Sequence, residues 1–95
     1  MTVEDFLTRV QTSSKPPPTL TEPLQALWYA AKGDWERAHQ IAQDIPGPDG
    51  SWVHAHLHRE EGDLGNAGYW YARSGHVESN ASIQDERMEL IAAFL

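Results

Sequence analysis

A Gly-Asp pair occurs twice in the chain, at Gly33-Asp34 and at Gly62-Asp63, 29 residues apart. Each pair constrains the backbone in the same way. A glycine adopts the left-handed conformation that ends a helix at little cost, and an aspartate directly after it accepts a backbone N–H and starts the next helix. Each pair therefore predicts a sharp corner between two helices. At the same offset Ala26 falls on Ala55 and Ala38 on Ala67, so small residues on both sides of each corner allow close helix approach. Trp35 falls on Leu64, and Leu24, Trp28 and Ile41 fall on Val53, Leu57 and Trp70. Residues 21–76 read as two helical hairpins.

The flanks carry their own signals. Thr2 and Asp5 form a capping-box pattern, and Val3, Phe6, Leu7 and Val10 recur at helical spacing, which predicts a helix over 3–12. Residues 13–20 hold three consecutive prolines, which stop a helix and favour an extended linker. Thr21 caps the next helix, with Glu22 and Pro23 suited to its first turn. Leu24, Leu27, Trp28 and Ala31 form one apolar stripe, and Ala26, Tyr29 and Ala30 make the other side apolar too, which places this helix centrally. Trp35, Ala38, Ile41, Ala42 and Ile45 mark the buried face of its hairpin partner. The stretch PGPDG at 46–50 reads as a turn, with Ser51 as the cap of the following helix. Gly65 and Gly68 each cost helix propensity of roughly 1 kcal/mol against alanine, a sign of close backbone approach. Gly75 ends that segment, and Ser82 with Asp85 opens a last helix over 82–95 whose face is Ile83, Leu90, Ile91 and Phe94. No segment alternates with a period of two, so no strand is expected. The fold class is all-α: one domain over 1–95, an array of about six helices with two central hairpins and flanking helices.

The corner with its flanking residues, Ala26, Gly33, Asp34, Trp35, Ala38 and again Ala55, Gly62, Asp63, Leu64, Ala67, resembles the tetratricopeptide repeat. The resemblance covers about half the chain and implies stacked helical hairpins that bind peptides or partner helices in a groove. The period of 29 residues is shorter than that family's usual ~34. The stretch from Trp52 to Gly75 is also similar to a small family of uncharacterised bacterial and fungal proteins, a likeness that implies no activity.

Composition narrows the function classes. The 95 residues carry a net charge of −7, and the seven Lys and Arg residues are scattered. Nucleic-acid binding needs clustered cations, so no nucleic-acid partner is expected. No apolar stretch approaches the roughly 20 residues that span a bilayer, and no leader pattern precedes the first helix, so no membrane partner is expected. Cysteine is absent, which excludes disulfides, thiolate metal sites and a Cys nucleophile, and suits a cytoplasmic location. Neither a serine-nucleophile motif nor a phosphate-binding glycine loop is present.

The stretch WVHAHLHREEGD places histidines at 54, 56 and 58. Alternate residues of a helix lie about 200° apart, so only His54 and His58 share a face, which Glu61 joins one turn later. Such a set could hold zinc with one position left for water, as a metal-binding protein or a metal-dependent hydrolase. A further ligand could come from Asp63, His39 or His76. His56 falls on Leu27 in the hairpin alignment and is expected to be a packed histidine with bonded ring nitrogens. In the YWY run, Trp70 falls on Ile41 and is expected in the core, leaving Tyr69 or Tyr71 partly exposed near Arg73. The leading expectation is a non-enzymatic interaction module without a cofactor. Its groove would be lined by His54, His58, Tyr69, Tyr71 and Arg73 and would accept a peptide, a partner helix or a second copy. The alternatives are the zinc site of His54, His58 and Glu61, and a small-ligand pocket between the hairpins with Arg73 as anion partner.

Overall fold

The computed structural model describes residues 1–95 and contains six helices and no strand: α1 (Val3–Thr12), α2 (Glu22–Lys32), α3 (Trp35–Gln43), α4 (Gly47–Glu60), α5 (Leu64–Ser74) and α6 (Ile83–Phe94). Both Gly-Asp corners form, with the same bonds. Gly33 and Gly62 have φ of 91° and 88°. The amide of Asp34 donates to the Tyr29 carbonyl at 2.9 Å, and that of Asp63 to the His58 carbonyl at 3.0 Å. Each aspartate Oδ1 accepts the amide three residues on, from Arg37 at 3.1 Å and from Asn66 at 3.2 Å. Ala26, Ala38, Ala55 and Ala67 are all buried at the close approaches of the two hairpins.

The helices lie in three layers. α2 and α4 run through the middle; α3 and α5 cover one side, and α1 and α6 the other. This explains why α2 is apolar on more than one face, and why every residue of α4 from Gly50 to His58 is buried. α6 closes the core with Leu90 and Ile91, so the C-terminal segment docks on its own chain. The capping box of α1 is present in both directions, Asp5 amide to Thr2 Oγ1 at 3.1 Å and Thr2 amide to Asp5 Oδ2 at 3.2 Å. The proline-rich linker is held at its start by Lys32, whose Nζ donates to the carbonyls of Val10 at 2.6 Å and Ser13 at 2.7 Å.

One local expectation is corrected. The PGPDG stretch is not a separate turn capped by Ser51: α4 begins at Gly47, and Ser51 lies buried in its second turn. The prolines do not prevent this, because amides of a first turn have no intrahelical acceptor. Gly50 makes it possible, since an added Cβ there would sit 2.0 Å from the Ile45 carbonyl oxygen. The two corners differ at Leu64. It follows its Gly-Asp corner as Trp35 follows the first, but it is 67% exposed, whereas Trp35 is half-buried and donates its indole N–H to the Leu57 carbonyl at 2.7 Å. α4 returns past Trp35 and accepts its indole N–H, whereas Leu64 borders only a surface cleft with Glu78, Ser79 and Asn80 and stays open to solvent.

α6 is fastened by a polar network absent from the sequence reading. Glu86 is buried at 2% exposure between three donors. Its Oε1 accepts from His56 Nδ1 at 2.7 Å and from Arg59 Nη1 at 3.3 Å, and its Oε2 accepts from the Tyr71 hydroxyl. Arg87 donates its Nε to His56 Nε2 at 3.3 Å and its Nη2 to Glu60 at 2.6 Å. An arginine only donates, so His56 is the neutral tautomer with its proton on Nδ1. His56 is thus the packed, doubly bonded histidine expected from its register. Burial alone would raise the Glu86 pKa, but bonds from His56 and Tyr71 and the Arg59 charge hold the carboxyl below its usual range. Burial, and the same hydrogen bond to Glu86, push the Tyr71 hydroxyl up.

Candidate functional site

On the opposite side of α4 the other two histidines of the run meet His39. His54 and His58, one turn apart, stack with ring centroids 4.8 Å apart and planes 19° from parallel. His39, on α3, stands edge-on to both, at 4.6 Å from His54 and 5.2 Å from His58. The Nε2 atoms of His54 and His39 are 2.8 Å apart, and one ring nitrogen from each of the three residues lies within 4.8 Å of the others. His54 and His58 are buried, and His39 is half-buried, so the cluster reaches solvent on the His39 side.

Local sequence and packing both build this arrangement. The Gly33-Asp34 corner starts α3 at Trp35, and one turn later its His39 lies against Trp35, stacked at 4.8 Å and 13°. From α5, Trp70 stacks on His54 at 4.0 Å and 12°. Trp70 is accordingly half-buried as a wall against His54. Glu61, at the end of α4, places Oε1 2.6 Å from His58 Nδ1. Burial and the neighbouring rings His39 and His58 push the His54 pKa down to about 4. Burial, then the His58 ring, also lower His39, against a smaller opposing effect of the Glu61 charge. A base held neutral in this way presents its lone pair, the form a metal ion requires.

The structure redistributes the residues expected at a site. It groups His39, not Glu61, with His54 and His58; Glu61 instead forms a second, more exposed group with Asp63 around His58. His76 stacks on Trp52 at 3.6 Å, apart from the cluster. The expected groove of five residues does not form. His54 and His58 are buried, and Tyr71 points inward to Glu86 at 2% exposure. Only Tyr69, 50% exposed, and Arg73 face outward, with the guanidinium 5.5 Å over the Tyr69 ring and 5.6 Å over Trp70. Arg73 lines none of the surface clefts, so the pocket expected between the hairpins around it is absent. His39 had a readable signal: it follows Trp35 by one turn, in the helix antiparallel to the one carrying His54.

No helix is long and apolar enough to cross a membrane. Compared with protein families, with curated proteins and with solved structures, the chain finds no match.

Proposed function

We propose that this chain binds a divalent transition-metal ion of the zinc class through His39, His54 and His58. The observation that carries the reading is the convergence of three imidazoles, buried or half-buried, from two helices, with ring nitrogens within 4.8 Å of one another. Zinc–nitrogen bonds of about 2.0–2.1 Å in a tetrahedron put neighbouring nitrogens ~3.3 Å apart. The 2.8 Å between His39 and His54 would open by ~0.5 Å, a side-chain adjustment. Of that pair, the ring that now donates would move its proton to Nδ1. Glu61 supports the reading because it accepts from Nδ1 of His58, which leaves Nε2 as the lone-pair atom; a carboxylate behind a ligating histidine is the usual orienting partner.

The test is a zinc titration of the chelator-treated chain, followed by calorimetry and thermal melting. One ion per chain is expected, and at a hundredfold excess over Kd the stabilisation is about 2.7 kcal/mol. His39→Gln, at the half-buried member, should abolish binding while leaving the metal-free melt nearly unchanged. Equal zinc binding by His39→Gln and by the parent chain would overturn the ligand set.

A second reading has its own observation. Tyr69 and Arg73 lie together on an outward face of α5, with the guanidinium over the Tyr69 ring. Read with the matching corners as tetratricopeptide-like, this face would dock a partner helix or a second copy. Light scattering across a concentration series tests the second copy, and a Tyr69→Ala, Arg73→Ala variant should remain monomeric where the parent associates.

A further inference from the structure

Resting on that metal reading, we infer that His58 is a bridge: its Nε2 binds the ion held with His39 and His54, and its Nδ1 binds a second, more weakly held divalent ion of the same class together with Glu61 and Asp63.

His58 is the member common to two sets of possible ligands, His39–His54–His58 and His58–Glu61–Asp63. In each set the donor atoms lie within 4.8 Å of one another. The two nitrogens of an imidazole point away from each other, so one ring can serve both sets. Glu61 Oε1 lies 2.6 Å from Nδ1. The corner brings Asp63 to the same residue, since its amide donates to the His58 carbonyl at 3.0 Å. Asp63 Oδ1 caps the Asn66 amide at 3.2 Å, which leaves Oδ2 without a donor from the chain. Neither carboxylate pairs with a lysine or an arginine. His58 is 6% exposed, so packing fixes the ring, while Glu61 and Asp63 face the solvent from which a second ion arrives.

The corner itself asks only for the aspartate. In the first hairpin the same backbone bond joins Asp34 to Tyr29, and Tyr29 and Lys32 stand where the second has His58 and Glu61. A phenol and an ammonium there still give the turn. The imidazole and the second carboxylate are therefore additions to the turn, and both are zinc-type donors. Loading the second ion replaces the Nδ1 proton, which leaves to solvent, and the ring keeps one lone pair for each ion. The first ion offsets the charges of Glu61 and Asp63. Exchange of a proton for a second divalent ion then adds one positive charge, so the second step is the weaker. The 2.6 Å contact would lengthen to ~3.3 Å, a shift open to the exposed Glu61 side chain.

Copper(II) reports on the bridge, because two copper ions joined through one imidazolate couple antiferromagnetically and lose their paramagnetic signal at low temperature. The full, chelator-treated chain is titrated with copper(II) and followed by electron paramagnetic resonance at liquid-helium temperature. The first equivalent should give the full signal of an isolated ion, and the second should make the integrated signal fall several-fold. Asp63→Asn keeps the cap oxygen and the side-chain volume but removes the charge. It should give the same first signal and need about tenfold more copper for the loss. A signal that stays level or doubles with the second equivalent, or a loss at the same copper concentration in Asp63→Asn, would overturn this inference and leave the metal reading intact. Absence of a bound-copper signal at the first equivalent, or one undiminished in His39→Gln, would overturn both.

Discussion

Removing the Glu86 carboxylate should be among the most damaging single changes in this protein, although the residue touches no part of the histidine cluster. In Glu86→Ala three donors lose their acceptor: His56 Nδ1–H, the Tyr71 hydroxyl and one arm of Arg59. His56 and Tyr71 are 0% and 2% exposed, so water does not replace the lost bonds without disturbing the core. An unsatisfied buried donor costs about 1–3 kcal/mol, and breaking a buried ion pair by deleting one partner costs about 3–5 kcal/mol. Arg59 keeps the Ala81 carbonyl and its side chain is 16% exposed, which places the total near the middle of that range, ~4 kcal/mol. Glu86→Gln retains one acceptor oxygen and the side-chain volume, but sets an amide N–H₂ against a donor; ~2 kcal/mol is expected. With a urea slope of ~1.5 kcal/mol/M for a domain of this size, the midpoints should fall by roughly 2–3 M and 1–1.5 M. Denaturation followed by far-ultraviolet circular dichroism reads both. A Glu86→Ala loss below ~1 kcal/mol would refute the reasoning, because it would mean that the freed donors find water or that α6 is held by its apolar residues alone.

Other outcomes follow from the same structure. His54 is neutral in the folded chain down to about pH 4, against an ordinary value of 6.5. Above pH 6.5 the group is neutral in both states and costs nothing. Below it the unfolded chain takes up a proton that the folded chain refuses, so the metal-free chain should lose stability on the order of 2 kcal/mol from pH 7 to pH 5, read as a falling melting temperature. A flat profile would show that the His39–His54 pair accepts a proton without strain. Asp34→Ala and Asp63→Ala each remove one cap bond and should cost about 1 kcal/mol apiece by urea denaturation, nearly additively. Gly33→Ala forces a Cβ into a left-handed backbone and should cost roughly 1–2 kcal/mol, although no atom stands in its way. Tyr69→Ala, at an outward position, should leave stability within about 0.5 kcal/mol of the parent, which separates its use in docking from any role in folding.

The all-α class, the two corners, the α1 capping box and the packed state of His56 were legible in the residues themselves. Those features arise from backbone dihedrals, caps and helical register, interactions that close within a turn or two of the chain. The start of α4 was the local exception, because the need for glycine at 50 comes from the Ile45 carbonyl folding back onto it, a contact no propensity contains. The spacing of His54 and His58 pointed to the right helix face but chose Glu61 as the third member, since only residues one turn away could be weighed from spacing. His39 joins them from 15 residues away and Glu86 reaches His56 from 30, and those meetings depend on which helices the layers bring side by side. Tertiary packing alone decided that Tyr71 faces inward to Glu86 while Tyr69 remains outside. Consecutive helix positions point in directions about 100° apart, and only the positions of α4 and α6 determine which of them is inside.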